Sequence, residues 1–229
     1  VTDAPDQFSD GQSYSVGRVI RELSSRSRVG AMFVQRMSTD SSADVNRTYA
    51  LDGRIGIGQA WTSDLWAART ETPGRAGDAY AYSARLAYQT NVWNHSARVA
   101  QVGDGFNPEV GFMSRPGGYR SYDVSMMRLV RKPEWSWFRQ WNPHASYRGV
   151  FGQRDGFYQT GYWHLDLTEI EFANSSRFGP ENNISHEGLQ APFEIAPGVV
   201  LQPASATARN VRSARPRVLV MRGSRPSRP

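Results

Sequence analysis

The sequence predicts an all-β protein: an antiparallel meander of about ten strands that forms a transmembrane-type β-barrel or an incomplete part of one. Three observations carry this expectation. Apolar and polar residues alternate with a period of two in window after window, turn residues punctuate those windows at short intervals, and no long stretch shows the 3.6-residue period of an amphipathic helix.

In chain order the alternation and the turns predict strands at 13–23, 28–38, 47–58, 60–71, 79–91, 93–102, 119–131, 143–153, 157–172 and 176–187. The clearest is 79–91, where Tyr80, Tyr82, Ala84, Leu86 and Tyr88 fall on one face and Ser83, Arg85, Ala87 and Gln89 on the other. Tyr49, Leu51, Gly53, Ile55 and Ile57 alternate in the same way with Thr48, Ala50, Asp52, Arg54 and Gly56. Tyr122, Val124 and Met126 alternate with Ser121, Asp123 and Ser125, and Trp163, Leu165 and Leu167 with Tyr162, His164 and Asp166. Ser24–Ser27, Gly58-Gln59, Asn91, Asp155-Gly156 and Asn174-Ser175-Ser176 read as turns. Longer polar connections lie at 39–46, 72–78 and 103–108, so short turns are expected at one end of the sheet and longer loops at the other.

Two architectures fit this pattern: a soluble sandwich or barrel with its apolar face buried, and a membrane barrel with its apolar face on lipid and its polar face on a lumen. The polar positions carry Ser, Gly, Ala, Asp and Arg, and Lys132 is the sole lysine, which suits a crowded lumen better than a solvated sheet face. Trp61, Trp66, Tyr80, Tyr88, Trp93, Tyr119, Trp135, Trp137, Trp141, Tyr158 and Trp163 gather near strand ends, as interfacial girdles do. The longest apolar runs, such as Val29–Val34, fall well short of the roughly 18 residues of a membrane helix.

Charge first suggests a polyanion partner, since 27 Lys+Arg against 21 Asp+Glu give +6. Its location removes that suggestion. Residues 204–229 hold seven arginines and no acid; without them 20 basic residues face 21 acidic ones, a net of −1. The tail arginines lack the aromatic interleaving of single-strand binders, so no nucleic-acid partner is expected. With no Cys there is neither a disulfide framework nor a thiolate metal site, and redox compartment is left open. The chain begins at Val1 without a signal peptide and reads as a mature segment or fragment, divided into a linker (1–12), a barrel domain (13–203) and a basic, disordered or aberrant tail (204–229).

Several motifs, taken in order, resemble a bacterial outer-membrane family in which a carbohydrate-binding module of family nine precedes a C-terminal β-barrel domain of unknown function. The most specific is Phe106-Asn107-Pro108-Glu109-Val110-Gly111-Phe112 after Gly103-Asp104. The others are Ser15-Val16-Gly17-Arg18 with Arg21-Glu22-Leu23, Asn46-Arg47 with Asp52, Gly77-Asp78-Ala79-Tyr80-Ala81-Tyr82, and Pro192-Phe193-Glu194-Ile195 with Pro197-Gly198-Val199-Val200. The resemblance covers about residues 12–203 and implies an outer-membrane barrel linked to carbohydrate binding or uptake. It supplies no catalytic mechanism, and the binding module is absent from this chain. After Pro203 the pattern departs from the family, which suggests an out-of-frame or aberrant terminus and an incomplete barrel.

Candidate sites are few. His95, His144, His164 and His186 show no metal-binding spacing, so no metal and no cofactor are expected. His164 and Asp166 share a strand face, and a serine on a neighbouring strand would complete a hydrolytic set, although a lumen hydrogen bond is the favoured reading. Glu169 and Glu171 read as salt-bridged or solvated carboxylates rather than a glycosidase pair. The Phe106–Phe112 segment reads as a loop stapled to the barrel by both phenylalanines, with Glu109 pairing an arginine such as Arg115, and with ligand gating as the minority reading. Arg54, Arg85, Arg98, Arg120 and Arg128 would line the lumen, either as an electropositive wall for anionic or sugar solutes or, preferably, as a cross-strand network with Asp52, Asp64 and Asp123. The expected function is a passive outer-membrane pore, scaffold or receptor for carbohydrate-like ligands, with outer-membrane lipid as partner. The alternatives are a glycosidic-bond hydrolase and a soluble β-sheet glycan-binding module.

Overall fold

The computed structural model describes residues 11–41, 43–113, 115 and 117–213. Its strands are β1 (Gln12–Leu23), β2 (Ser27–Ser38), β3 (Val45–Ile57), β4 (Trp61–Glu71), β5 (Tyr80–Gln89), β6 (Trp93–Val102), β7 (Tyr119–Arg128), β8 (Phe138–Trp141), β9 (His144–Gly152), β10 (Tyr158–Asp166), β11 (Ile170–Phe172), β12 (Arg177–Phe178), β13 (Pro180–Leu189), β14 (Phe193–Ala196), β15 (Val199–Leu201) and β16 (Ala204–Ser213).

Eleven of these form one sheet in the order β1-β2-β3-β4-β5-β6-β7-β9-β10-β13-β16. Each neighbouring pair is antiparallel, so the chain is an all-β up-and-down meander as the alternation predicts. No closed barrel is found among the described residues, because β1 and β16 are the two edges of the sheet. Geometry gives a reason. Eleven strands in strict alternation leave the first and last parallel, whereas single-chain bacterial barrels close antiparallel with an even number.

The predicted strands correspond to the sheet with local differences. The segment 157–172 divides into β10 and β11, and 176–187 into β12 and β13; β11 and β12 leave the large sheet to join β8 in a small one. Short turns (24–26, 58–60, 90–92) lie at one end of β1–β6 and longer loops at the other, but 129–143 and 167–179 place long connections at the short-turn end as well. The barrel domain was expected to stop at 203, yet Ala204–Ser213 forms β16, paired with β13 from Pro180↔Ser213 to Leu189↔Ala204. Its alternation is hard to see because Ala, Ser and Thr fill it. The rest of the predicted tail, 214–229, and most of the predicted linker, 1–12, lie outside the described residues.

The register sorts side chains into two faces, since directly opposed residues share a face. Leu51 (β3), Ala67 (β4), Tyr82 (β5) and Gln101 (β6) are opposed, as are Ile55, Ser63, Leu86, Ala97, Val124, Tyr147 and Trp163 from β3 to β10. This apolar face is uncovered: Leu51 is 66% exposed, and Tyr82, Leu86, Ile55 and Val124 are each above 40%. Most of the buried residues lie on the polar face, towards the end of the sheet that carries the longer loops. Asn46 and Ala81 are each 1% exposed, and Thr48, Thr70, Ser83, Ala100 and Ser121 are also buried there.

Candidate functional site on the polar face

A row of charge crosses the polar face. Glu22, Arg28, Arg54, Asp64, Arg85, Arg98, Asp123 and Arg148 are successive cross-strand partners from β1 to β9. Arg54 Nε donates to Asp64 Oδ1 (2.5 Å) while Arg85 approaches the other oxygen (3.7 Å). Asp123 repeats the arrangement between Arg148 (2.6 Å) and Arg98 (4.0 Å). Each aspartate thus sits between two arginines, and Arg85 and Arg98 face each other directly. Opposed like charges disfavour the bare sheet and favour an acceptor between them. Arg85, Arg98, Asp123 and Arg148, with Ser96, Ser125, Ser146 and Tyr162, line a cavity of about 590 Å³. A larger cavity, about 830 Å³, lies mostly over the apolar face, between Phe33, Tyr49, Leu51 and Tyr80 above small residues such as Gly17 and Ala31.

Asp52 also joins the polar face, where Arg18 Nη2 donates to it at 2.8 and 3.0 Å. That pair skips over β2, and it can do so because Gly30 intervenes: a Cβ there would lie 3.0 Å from Asp52 Oδ2. Arg120 and Arg128 do not belong to this face. They share parity with Tyr122 and Met126, and Arg128 packs over the Trp93 ring at 4.9 Å on the apolar face, while Arg120 donates to Gln101. The expected lumen set is therefore corrected to exclude both.

The β6–β7 loop closes one end of the polar face. Phe106 is buried against Ala68, Ala81 and Val102, with Ala50, Met113 and Tyr119 packed around them. The alanines leave the space that the ring fills. Asn46 donates to Thr72 Oγ1 and to the Asn107 carbonyl, both at 2.7 Å, and the Asn107 amide donates to Thr70 Oγ1 (3.0 Å). Pro108 accepts from Gly111 N (2.9 Å) to close the turn. Glu109 accepts from Arg36 Nε (2.5 Å), not from Arg115, which bonds Gln159 and Thr160 instead. Only one phenylalanine staples the loop, because Phe112 is 91% exposed. The Pro192-Phe193-Glu194 motif lies elsewhere, entering the β14–β15 hairpin, where Glu194 Oε1 accepts from Gly198 N (2.8 Å).

Asp104 locks the same loop to the β4–β5 connection. Its Oδ1 accepts from the Asp78 amide (2.9 Å), and its Oδ2 pairs with Arg154 (2.6 Å). Gly77 holds φ +108°, and a Cβ on it would lie 2.8 Å from Asp104 Oδ1, so glycine admits the carboxylate. The Asp78 backbone bond, reinforced by Arg154, holds the Asp104 pKa below the usual carboxylate value. A depressed folded-state pKa adds stability above the ordinary carboxylate range and loses it as pH falls through the lowered value. Hydrogen exchange, corrected for its intrinsic pH dependence, should show the Asp78 and Gly105 amides losing protection on acidification to about pH 3. Asp104→Asn should already be less protected at neutral pH; equal protection in both proteins at both pH values would refute the lock.

At the opposite end of the polar face the β9–β10 pairing sets Asp166 directly against His144, with His164 two residues along on the same face. His144 Nε2 lies 3.1 Å from His164 Nε2, and Asp166 Oδ2 lies 3.6 and 3.5 Å from those two nitrogens. The absence of metal spacing in the sequence is thus misleading, because the donors come from neighbouring strands. No serine hydroxyl hydrogen-bonds to His144 or His164 among the described residues, so the hydrolytic set, the minority reading of the sequence, is not assembled there. Glu169 and Glu171 are salt-bridged: Glu171 is buried between Arg139 (3.3 Å) and Arg177 (3.7 Å), and Glu169 faces Arg177 (3.7 Å).

Comparison with protein-family models finds no match, and comparisons with curated proteins and with solved structures find none either.

Proposed function

We propose that this chain is the wall of a bacterial outer-membrane β-barrel, a pore, scaffold or receptor for carbohydrate-like ligands. One observation carries the reading: the apolar face of the sheet is exposed while the small and polar face holds the buried residues. In water such an arrangement leaves large apolar area unburied, at a cost of roughly 25 cal/mol per Å². In a bilayer the same face is solvated by acyl chains, and every backbone group of an interior strand is paired within the sheet.

The aromatic rows add a scale. Trp61, Tyr88 and His95 lie in one cross-strand row, with Trp61 and Tyr88 ring centroids 4.8 Å apart. Phe33 and Tyr49 (5.3 Å), with Arg69 over Tyr80 (5.6 Å), form a second row at the other end of the apolar face. From Tyr80 to Tyr88 a strand advances about 26 Å, or about 20 Å across the bilayer once tilted, close to the apolar band of outer-membrane barrels. On the other face, the cavity lined by arginines, serines and Tyr162 offers fixed donors to hydroxylated or anionic solutes. The ordered motifs from Ser15 to Val200 support the same family reading and with it the carbohydrate class.

Closure of the wall requires an odd number of further strands between β16 and β1. Expressed behind a secretion signal in a Gram-negative host, the full chain should sediment with outer membranes, migrate differently on gels before and after boiling, and be retained on immobilised glycan without turning it over. A monodisperse protein without detergent would overturn the membrane reading, and absence of glycan retention would overturn the ligand class.

A further inference from the structure

We propose that His144, His164 and Asp166 form a binding site for a divalent transition-metal cation of the Zn²⁺ class. The hydrogen bonds fix the imidazole tautomers. His144 Nδ1 faces the Asn142 carbonyl at 2.9 Å, an acceptor only, so Nδ1 carries the proton. His164 Nδ1 lies 2.8 Å from Asn183 Oδ1. The orientation of that amide is set independently, because Asn183 Nδ2 donates to Glu181 Oε1 (2.7 Å) and Tyr162 Oη donates into Oδ1 (2.6 Å). His164 Nδ1 is therefore also a donor.

With both Nδ1 atoms engaged, the two Nε2 atoms face each other across 3.1 Å, and one of them can donate to the other only by carrying a second proton. A metal cation held by both Nε2 atoms and the Asp166 carboxylate would use all three groups at once. The separations suit one. Three donors about 2.1 Å from a tetrahedral Zn²⁺ stand about 3.4 Å apart, and the observed edges are 3.1, 3.5 and 3.6 Å. Among the described residues, Asp166 also has a buried Oδ1 without a hydrogen-bond partner. The outer partners match what metal-bound histidines use: a backbone carbonyl behind one ring, and an amide held by a carboxylate and a phenol behind the other. Imidazole and carboxylate donors select first-row transition metals over Ca²⁺ or Mg²⁺. Three protein ligands leave a coordination position open, and Ser146, the cross-strand partner of His164, lines the arginine-bearing cavity.

The site does not depend on the membrane reading. The full chain, folded in detergent or, if soluble, in buffer, is stripped with a chelator and titrated with Co²⁺. The expected result is a visible d–d band saturating at one equivalent, abolished by Zn²⁺, and a melting temperature raised by Zn²⁺. His144→Ala and Asp166→Asn should lose the band, and Asn183→Ala, a positioning change, should weaken binding about 10–100-fold. His95→Ala and His186→Ala should retain the band. Asp166→Asn is nearly isosteric, so its melting curve without metal separates loss of the site from loss of the fold. No saturable band in the parent protein, or an undiminished one in His144→Ala, would overturn the proposal.

Discussion

Val99→Arg is expected to cost the protein about 2–4 kcal/mol when it is folded into a bilayer. Val99 belongs to the row Leu65–Ala84–Val99–Tyr122, midway between the two aromatic rows of the apolar face. On the proposed membrane reading a guanidinium placed there meets hydrocarbon, and snorkelling reaches the interface only with strain. Leu65→Arg should behave alike. Met126→Arg lies in the Trp61–Tyr88–His95 row and should cost only about 0–1 kcal/mol, the depth dependence that a lipid-facing sheet imposes. Urea titration of the three variants in large unilamellar vesicles reads the series. A sheet face bathed in water would instead tolerate all three changes within about 0.5 kcal/mol.

Phe106→Ala should be the most destabilising single truncation in the β6–β7 loop, at about 3–5 kcal/mol. The ring is buried where Ala50, Ala68 and Ala81 offer only methyl groups on the polar face, so these positions cannot fill the space it leaves. The same alanines make the reciprocal change costly: Ala81→Leu overpacks the seat and should lose about 1–3 kcal/mol. Phe112→Ala, at a fully exposed ring, should stay within about 0.5 kcal/mol. Equal effects for the two phenylalanines would show that the loop is not anchored through Phe106.

Most of the sheet is legible in the sequence because its two faces differ at every step: Tyr80, Tyr82 and Leu86 against Ser83, Arg85 and Gln89 leave one register and one parity. β16 is less legible, since Ala204, Ala206 and Ala208 against Ser205 and Thr207 contrast little. The charged row is foreshadowed by Arg54, Arg85, Arg98 and Asp123, but its division into two arginine–aspartate–arginine sets depends on register. The histidine site is hidden for a sharper reason. The β9–β10 pairing carries an irregularity between Tyr158 and Thr160. Counted outward from Tyr158↔Phe151 without it, His144 would oppose Leu165 and point to the other face. One extra residue in the ladder brings His144 to the side of His164 and Asp166.

The membrane reading also explains why hydropathy alone gives a weak signal: a barrel wall spends half of its positions on small and polar residues, so its average is that of an ordinary soluble chain. The pattern of burial is what supports the proposed membrane reading. Val19 and Leu51, on the apolar face, are 73% and 66% exposed, whereas Asn46 and Ala81, on the polar face, are each 1% exposed.

The chain contains no cysteine, so single cysteines can be placed and spin-labelled without background. With labels at Leu51, Val99 and Val124 on one face and at Ser96 and Ser125 on the other, collision rates with oxygen and with a water-soluble nickel chelate should be measured in liposomes. A lipid-facing apolar surface gives oxygen-dominated collisions for the first three, with Val99 the deepest, and chelate-dominated collisions for the two serines. Chelate access to Leu51, Val99 and Val124 equal to that of the serine positions would contradict it.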